Sequence, residues 1–347
     1  MKEKKKVLLI CGSNNQTTMM HKIGMHLKDY DCYYTPYYCD GVLKLLYKAN
    51  LLSFTVIGKH HQQRAIEYLS SHYLNIDFAG NSNDYELVIT SSDLLIQRNI
   101  RNKKIVLVQE GMTDPVNIFY YLSKYLGAPR YLASTSTAGL SDAYDLFCVA
   151  SEGYAEHFIN NGCDPGKIAV TGIPNFDNAR IFYNNNLPLK NYVLAATSDA
   201  RETFKYENRK RFIYKCLDIS DGRQLIFKLH PNENFQRAVK EIKKYAPSAI
   251  VFCSGNAEQM IANCDVLITK YSSVVFVGLA LGKEVYSDFD IDVLKKLTPI
   301  QNGGTSGKQI AQLCTSLLEN EPSAVQDSRY IKTIERILPN SISGEAA

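Results

Sequence analysis

A glutamate, a histidine and a pair of serines could carry chemistry, because each stands just after a short apolar run typical of a buried strand. Glu110 follows the run 105–109 and precedes Gly111, so its carboxylate could project without a bulky neighbour. A carboxylate placed there can act as a general base on an acceptor hydroxyl. The structural alternative is that Glu110 caps a helix beginning near Pro115.

His230 follows the apolar run 225–229, which contains Lys228, and it precedes Pro231. Proline favours an extended conformation for the residue before it. An imidazole fixed in this way can hydrogen-bond or protonate a departing phosphate near neutral pH. We therefore predict that all three residues contribute to a phosphate site, while a purely structural role for the histidine stays open.

Ser272 and Ser273 stand between the apolar run 266–269 and a helical pattern over 273–281. Hydroxyls and free backbone amides at the start of a helix form a natural anion site. The alternative is an ordinary serine cap on a buried helix. Arg201, which follows the run 192–196, could reach the same phosphate.

Two further strand exits are weaker candidates. Gly12, Ser13 and Asn14 form a strand-to-helix turn that could contact an acceptor. Gly172 lies in a glycine-proline turn that we expect to lead into a helix capped by Asn175, and we count it among the nucleotide-binding candidates. The chain has neither a G-x-G-x-x-G nor a Walker spacing, which excludes the usual dehydrogenase and P-loop sites.

The apolar runs alternate with amphipathic stretches along the chain, which predicts a doubly wound α/β fold with parallel sheets. Parallel strands would position these candidates. In such sheets ligands bind beyond the carboxyl ends of the strands, which is where the candidates stand. The predicted strands are 7–11, 54–57, 87–90, 105–109, 146–150, 168–171, 192–196, 225–229, 250–253, 266–269 and 284–286. The predicted helices are 16–28, 60–73, 152–162, 235–246, 273–281, 308–319 and 325–338.

The length of 347 residues favours two domains. A polar, proline-containing segment at 183–190 is the predicted boundary, giving Rossmann-like domains over 1–185 and 190–347. By analogy with similar folds, the last helical stretch, 325–338, could pack back on the first domain.

Composition excludes several classes of protein. Hydrophobic residues make up 45% and charged residues 21%, which is typical of a globular protein. The net charge is only +4 and no basic stripe is interleaved with aromatics, which argues against nucleic-acid binding. Nine scattered cysteines without a C-x-x-C, and no apolar stretch of spanning length, predict a cytoplasmic protein. Lys2, Lys4, Lys5 and Lys6 suggest either a solvated leader or weak attraction to the inner face of an anionic membrane.

The pairs His230-Pro231, Ser272-Ser273 and Glu110-Gly111 resemble the HP, SS and acidic-glycine motifs of bacterial sialyltransferases and capsule Kdo transferases. Those enzymes have the GT-B fold, so the resemblance implies two doubly wound Rossmann-like α/β domains that face a cleft. It also implies that Glu110 is the general base, and that the histidine and serines hold the phosphate of a cytidine nucleotide.

Two other resemblances are shorter. The stretch 265–282 is similar to CDP-glycerol glycerophosphotransferases, although those enzymes usually have aspartate where this chain has Lys270. The stretch 170–174 resembles UDP-N-acetylglucosamine 2-epimerases, but Ile173 stands where they have asparagine, and their paired motifs around the catalytic carboxylates are not evident.

The sequence therefore predicts a glycosyltransferase that moves a sugar or glycerophosphate from a CMP- or CDP-linked donor to a glycan or lipid acceptor at the cell surface. We expect no metal, and no cofactor beyond the nucleotide-activated substrate. The alternatives are a UDP-N-acetylglucosamine 2-epimerase and a non-catalytic GT-B-like subunit that only binds a nucleotide.

Overall fold

The computed structural model describes residues 3–49, 57–203, 206–270 and 272–320, which form two compact units. The first unit contains the described residues of Met1–Asp177 and Asn302–Ala347, and the second is Asn178–Gln301. The chain thus leaves the first unit and later returns to it. The divisions fall after Asp177 and Gln301, whereas the sequence analysis placed one boundary at 183–190.

The first unit is built on a sheet of six parallel strands. Its strands carry near-continuous apolar runs because helices cover both faces of a parallel sheet; Val7, Leu8 and Leu9 are fully buried. The strands are β1 (Lys6–Cys11), β2 (Asp31–Pro36), β3 (Leu87–Thr90), β4 (Lys104–Val108), β5 (Leu146–Val149) and β6 (Ile168–Val170). Their order in the sheet is β2-β1-β3-β4-β5-β6.

Five helices of the first unit connect these strands, and several begin at side-chain caps. Ser13, Asn117 and Ser151 each accept a hydrogen bond from a backbone amide of the helix that follows. The helices are α1 (Asn14–Gly24), α2 (Gly41–Lys48), α3 (Lys59–Ser71), α4 (Ile118–Leu126) and α5 (Glu152–Asn161).

The second unit is built on a sheet of five parallel strands. Val193, Phe227 and Ile268 lie fully buried in its core. The strands are β7 (Val193–Ala196), β8 (Leu225–Lys228), β9 (Ile250–Phe252), β10 (Val266–Ile268) and β11 (Glu284–Tyr286), in the order β11-β10-β7-β8-β9. The helices are α6 (Arg209–Ser220), α7 (Phe235–Tyr245), α8 (Ala257–Asn263), α9 (Val274–Ala280) and α10 (Ile291–Leu297).

The structure confirms the predicted doubly wound α/β class and places a strand at each predicted position that it describes in full. The predicted strand 54–57 and helix 325–338 lie, wholly or in most of their length, outside the described residues. Strand β2 was missed because its sequence, DCYYTP, is not an apolar run. The helix predicted after Asn175 is wrong: a turn follows, and then a short 3₁₀ helix over Ala179–Tyr183.

Each sheet has one point at which the strand order reverses direction. In the first unit this point lies between β1 and β3, and in the second it lies between β7 and β10. Chain crossovers run away from such a point on opposite faces, which leaves a crevice at the carboxyl ends of the strands. The loops after β1 and after β7 therefore border the natural ligand positions of their units.

Helix α11 (Ser306–Leu318) belongs to the first unit, although the sequence analysis assigned its residues to the second domain. It packs against α1 so closely that a Cβ added to Gly307 would lie 3.0 Å from the Lys22 carbonyl oxygen. The fully buried Ser306 amide donates to Asp177 Oδ2 at 2.9 Å. Asp177 thus acts as the N-terminal cap of α11 from a distant part of the sequence.

Asp177→Ala should lower the free energy of unfolding by about 1–3 kcal/mol, because the buried Ser306 amide loses its acceptor. Asp177→Asn retains a side-chain oxygen and should lose less. Urea unfolding followed by circular dichroism measures both variants. An alanine variant as stable as the unchanged protein would contradict this role.

Candidate functional site

Glu110 lies directly beyond β4 and is held by the first turn of α1. Ser13 Oγ donates to Glu110 Oε1 at 2.9 Å, and Gln16 Nε2 donates to Oε2 at 2.6 Å. Asn15 Nδ2 donates to the Glu110 carbonyl oxygen at 3.1 Å. The fold therefore brings together two candidates from the sequence analysis, Glu110 and Ser13. Ser13 was predicted on the acceptor side of the site.

The same residues begin the helix. The Ser13 hydroxyl accepts from the Gln16 amide at 3.2 Å, and Gln16 Oε1 accepts from the Ser13 amide at 3.1 Å, which is a capping box. Gly12 leaves the space that this arrangement needs, because a Cβ there would lie 1.7 Å from Gln16 Oε1. Asn14, the first helical residue, is exposed.

Burial and hydrogen bonding act in opposite directions on the pKa of the Glu110 carboxyl group. Burial raises the pKa of its carboxyl group above the ordinary value, and the hydrogen bonds from Gln16, Ser13 and Asn15 offset this only in part. Ser13 donates to Oε1 and Gln16 to Oε2, so neutral donors orient the carboxylate. Glu110 does not cap the helix predicted near Pro115, since α4 starts at Ile118 and is capped by Asn117.

The loop after β6 packs against the first turns of α1. Asn175 Nδ2 donates to the Asn15 carbonyl and side-chain oxygens at 2.9 and 2.6 Å, and contacts Thr18 Oγ1 at 2.9 Å. Gly172 has a φ of 75° and donates its amide to the Val149 carbonyl at 3.1 Å. Gly172, a predicted nucleotide contact, therefore shapes a loop of the first unit.

His230 lies beyond β8 in the second unit, fixed by its own main chain. Its amide donates to Thr197 Oγ1 at 3.1 Å and to Glu233 Oε2 at 2.9 Å. Its ring Nδ1 is 3.3 Å from the Asn232 amide, which donates to it, and 3.7 Å from Asp199 Oδ2. The side chain is 35% exposed, and no described residue bonds to its Nε2.

Glu233 is a functional candidate that the sequence analysis missed. It is buried, and its carboxylate binds the Thr197 hydroxyl as well as the His230 amide. Its other oxygen pairs with Arg209, which also pairs with Glu207 through Nε at 2.8 Å. The three charged side chains are only 1–3% exposed. The available signal was a carboxylate three residues after the histidine, inside the same turn.

Ser272 and Ser273 stand beyond β10, the neighbour of β7 on the side away from β8. Ser273 immediately precedes α9, and its side chain makes no capping hydrogen bond with the described residues. The Ser272 carbonyl accepts from the Val275 amide at 3.1 Å. The carboxyl ends of three adjacent strands therefore carry Thr197, His230 and the two serines.

The two predicted cationic contacts are engaged inside the protein. Lys228 is buried, donates its Nζ to the Leu229 carbonyl at 2.7 Å, and has its pKa lowered by burial. Arg201 forms an ion pair with Glu241 at 2.9 Å and lies 3.8 Å from Glu207. Pro231 is exposed at the tip of the turn.

The described residues contain no group of three or more histidine, cysteine or acidic side chains arranged to hold a metal ion. Among them, too, no helix is long and apolar enough to cross a membrane.

No protein-family model matches the sequence, and no curated protein is significantly similar to it in sequence. Several solved structures are nevertheless similar in fold. A Listeria monocytogenes protein, provisionally assigned as a UDP-N-acetylglucosamine 2-epimerase, superimposes with a TM-score of 0.60 at 14% identity, over 92% of this chain and 97% of that one. The Neisseria meningitidis UDP-GlcNAc 2-epimerase bound to UDP-GlcNAc gives 0.55 at 11% identity, over 90% and 100%. A variant of the wall teichoic acid polymerase TagF gives 0.51 at 12% identity, over 92% and 90%.

The chain has the GT-B fold. The predicted GT-B fold is thereby confirmed, and each of its two domains is built on one parallel sheet. The GT-B neighbours include both epimerases and a polymerase, so the fold is compatible with either reaction class.

Arg209→Met should strongly destabilise the second GT-B domain, because it leaves the Glu207 and Glu233 carboxylates buried without their cation. Breaking a buried ion pair costs about 3–5 kcal/mol. Arg211→Met, two residues along the same helix but exposed, is the matched control and should change little. Thermal unfolding of the two variants compares them, and equal melting temperatures would show that the network does not support this domain.

Proposed function

We propose that this chain is an enzyme acting on a nucleotide-activated sugar. Glu110 abstracts a proton in the reaction, and the carboxyl edge of the second sheet holds the nucleotide phosphates. The observation that carries the proposal is the Glu110 carboxyl group, whose pKa is raised by burial while Ser13 and Gln16 hold both oxygens in place. A carboxylate with a raised pKa is a stronger base at neutral pH.

The reaction class that we place first is 2-epimerisation of a UDP-N-acetylhexosamine. Structures named as UDP-GlcNAc 2-epimerases have the higher TM-scores among the neighbours described above and are covered almost completely by this chain. In this reaction Glu110 would take the proton from C2 as the C1–O bond to UDP breaks. A proton would then return to the opposite face of C2 as UDP adds back to C1, so no acceptor, metal or cofactor is proposed.

The second candidate is transfer from a CMP- or CDP-linked donor to a glycan or lipid acceptor. It is supported by His230-Pro231 and by Ser272-Ser273, which follow two strands that flank β7. The fold similarity to the TagF variant is also consistent with transfer. Here Glu110 would deprotonate the acceptor hydroxyl.

His230 has the same task in either reaction. Its main chain is fixed by Thr197 and Glu233, while its ring is partly exposed and its Nε2 lacks a partner among the described residues. We propose that this nitrogen hydrogen-bonds the nucleotide phosphate and stabilises its negative charge as the bond to the sugar breaks.

The decisive experiment incubates the purified protein with UDP-GlcNAc alone and follows the configuration at C2 by proton NMR. A thermal-shift panel of UDP, CMP and CDP runs in parallel, because a ligand that binds only the folded state raises the melting temperature. Epimer formation with stabilisation by UDP supports the first candidate. Stabilisation by CMP or CDP, lost in His230→Ala, supports the second. Nucleotide binding without turnover, unchanged in Glu110→Gln, would leave only the non-catalytic alternative.

Glu110→Gln should lower kcat by about 100-fold or more, the usual scale for removing an acid–base group. The melting temperature should change little. The glutamine side chain avoids the cost of burying a charge, although its amide group faces the donor of Gln16. Glu152→Gln, at an exposed position of the same domain, is the matched control. Near-normal turnover in Glu110→Gln would remove the proposed base.

Gln16→Met should move the acidic limb of the kcat/KM profile to higher pH. A donor to the carboxylate stabilises its ionised form, so removing that donor raises the pKa of Glu110 further. Since the base acts when ionised, activity is then lost at a higher pH as the solution is acidified. Gln63→Met, in α3, is the control and should leave the profile in place; a Gln16→Met profile that does not move would separate Gln16 from the base.

A further inference from the structure

Helix α4 turns apolar side chains toward solvent instead of burying them. Five of its nine residues are large, apolar or aromatic, and 46–76% exposed: Ile118, Phe119, Tyr121, Tyr125 and Leu126. Val116, Tyr131 and Leu132, on either side of the helix, are 42–50% exposed. We call these eight residues the α4 face. Contiguous exposed apolar surface of this kind marks a binding surface.

A cationic pocket adjoins the α4 face. It has a volume of about 790 Å³, and its lining includes Arg101, Lys124 and Arg130 but no acidic side chain. The segment from Pro115 to Ser141, which supplies the α4 face and much of the pocket, contains no aspartate or glutamate at all. The surface therefore combines apolar area with positive charge.

Two cations of the pocket, Lys124 and Arg130, make hydrogen bonds within the protein. Lys124 Nζ donates to the Asn161 carbonyl at 2.6 Å and lies over the Tyr125 ring, yet the residue is exposed. Arg130 donates Nη2 to the Asp93 carbonyl at 2.8 Å, and its buried Nε has no hydrogen-bond partner among the described residues. The exposed Lys124 ammonium is accessible to an anionic oxygen of a ligand at this surface.

We propose that the α4 face and the cationic pocket form a docking surface for an anionic phospholipid bilayer. Tyrosine, with an apolar ring and a polar tip, suits the boundary between headgroups and acyl chains, and isoleucine, phenylalanine and leucine suit the layer below. The cations of the pocket bind headgroup phosphates, each contributing through the negative surface potential. A second copy fits less well, because a twofold contact through this surface would bring two cationic pockets together.

The amino-terminal lysines offer a weaker surface for the same purpose. Lys5 Nζ bonds to the Leu318 carbonyl and to Glu319, Lys6 pairs with Glu3, and Lys4 donates to the Lys28 carbonyl. These contacts are internal to the protein, whereas the α4 face lacks a covering element among the described residues. The proposal is independent of the enzymatic reaction and is tested without turnover.

Flotation of the purified full chain with vesicles tests the proposal. The protein should float with vesicles of phosphatidylcholine and phosphatidylglycerol, but not with phosphatidylcholine alone, and high salt should release it. Ile118→Ser with Leu126→Ser should lower the partition coefficient at least about fivefold. Lys124→Gln with Arg130→Gln should lower it about tenfold. Val293→Ser, an exposed apolar residue of the other unit, is the control and should bind like the unchanged protein.

Circular dichroism confirms that each variant is folded, and the exposed positions of Ile118 and Leu126 make that pair the safer test. Failure of the unchanged protein to float with anionic vesicles would overturn the proposal. So would undiminished flotation of the Ile118 and Leu126 pair. A dimer in sedimentation that this pair converts to a monomer, without vesicle binding, would assign the α4 face to a second copy.

Discussion

Every strand pair in the described parts of both sheets is parallel, and this constraint determines where chemistry can lie. Parallel neighbours cannot be joined by a tight hairpin, so each connection crosses a face of the sheet and covers it. All strands of a sheet then end at one edge, and their exit loops lie side by side. Glu110 and Ser13 meet at such an edge although 97 residues separate them.

Different interactions hold Glu110 at the carboxyl edge of the first sheet and Glu233 at the carboxyl edge of the second. Glu110 is held by neutral donors from Ser13 and Gln16, no cation among the described residues forms an ion pair with it, and burial raises its pKa. Glu233 is paired with the buried Arg209, and its carboxylate also accepts the His230 amide and so fixes that turn. Glu233 thus positions the His230 turn, whereas Glu110 is the carboxylate that we propose for proton transfer.

Much of the fold could be predicted from the sequence because parallel strands, buried on both faces, read as plain apolar runs. The prediction of strands fails where a strand is not a plain apolar run. Strand β2 lies at the edge of its sheet and contains Asp31, two tyrosines and a threonine in place of an apolar run. The turn at Asn175 has a capping residue, but its side chain binds α1 instead of starting a helix.

The positions of the candidate site residues could be predicted from the sequence, but the side chains that they contact could not. A strand exit is visible in the sequence, so Glu110 and His230 could be selected. That Arg201 is engaged by Glu241, and that Asp177 caps a helix 129 residues further along, depends on packing between distant segments. No local pattern encodes such pairs. Glu233 was missed for the same reason, since its partner Arg209 lies on another element.

The return of α11 to the first unit has a consequence for the order of folding during synthesis. Residues 178–301 are one continuous stretch, so the second unit has all its described strands and helices as soon as that stretch leaves the ribosome. The first unit begins earlier but must wait for α11, which carries the Ser306 amide that Asp177 caps. Because domains generally fold as units while the chain emerges, the amino-terminal sheet stays incomplete on the face that α11 covers until the inserted unit has been made. The first unit is therefore the first whose synthesis begins and the last whose folding is complete.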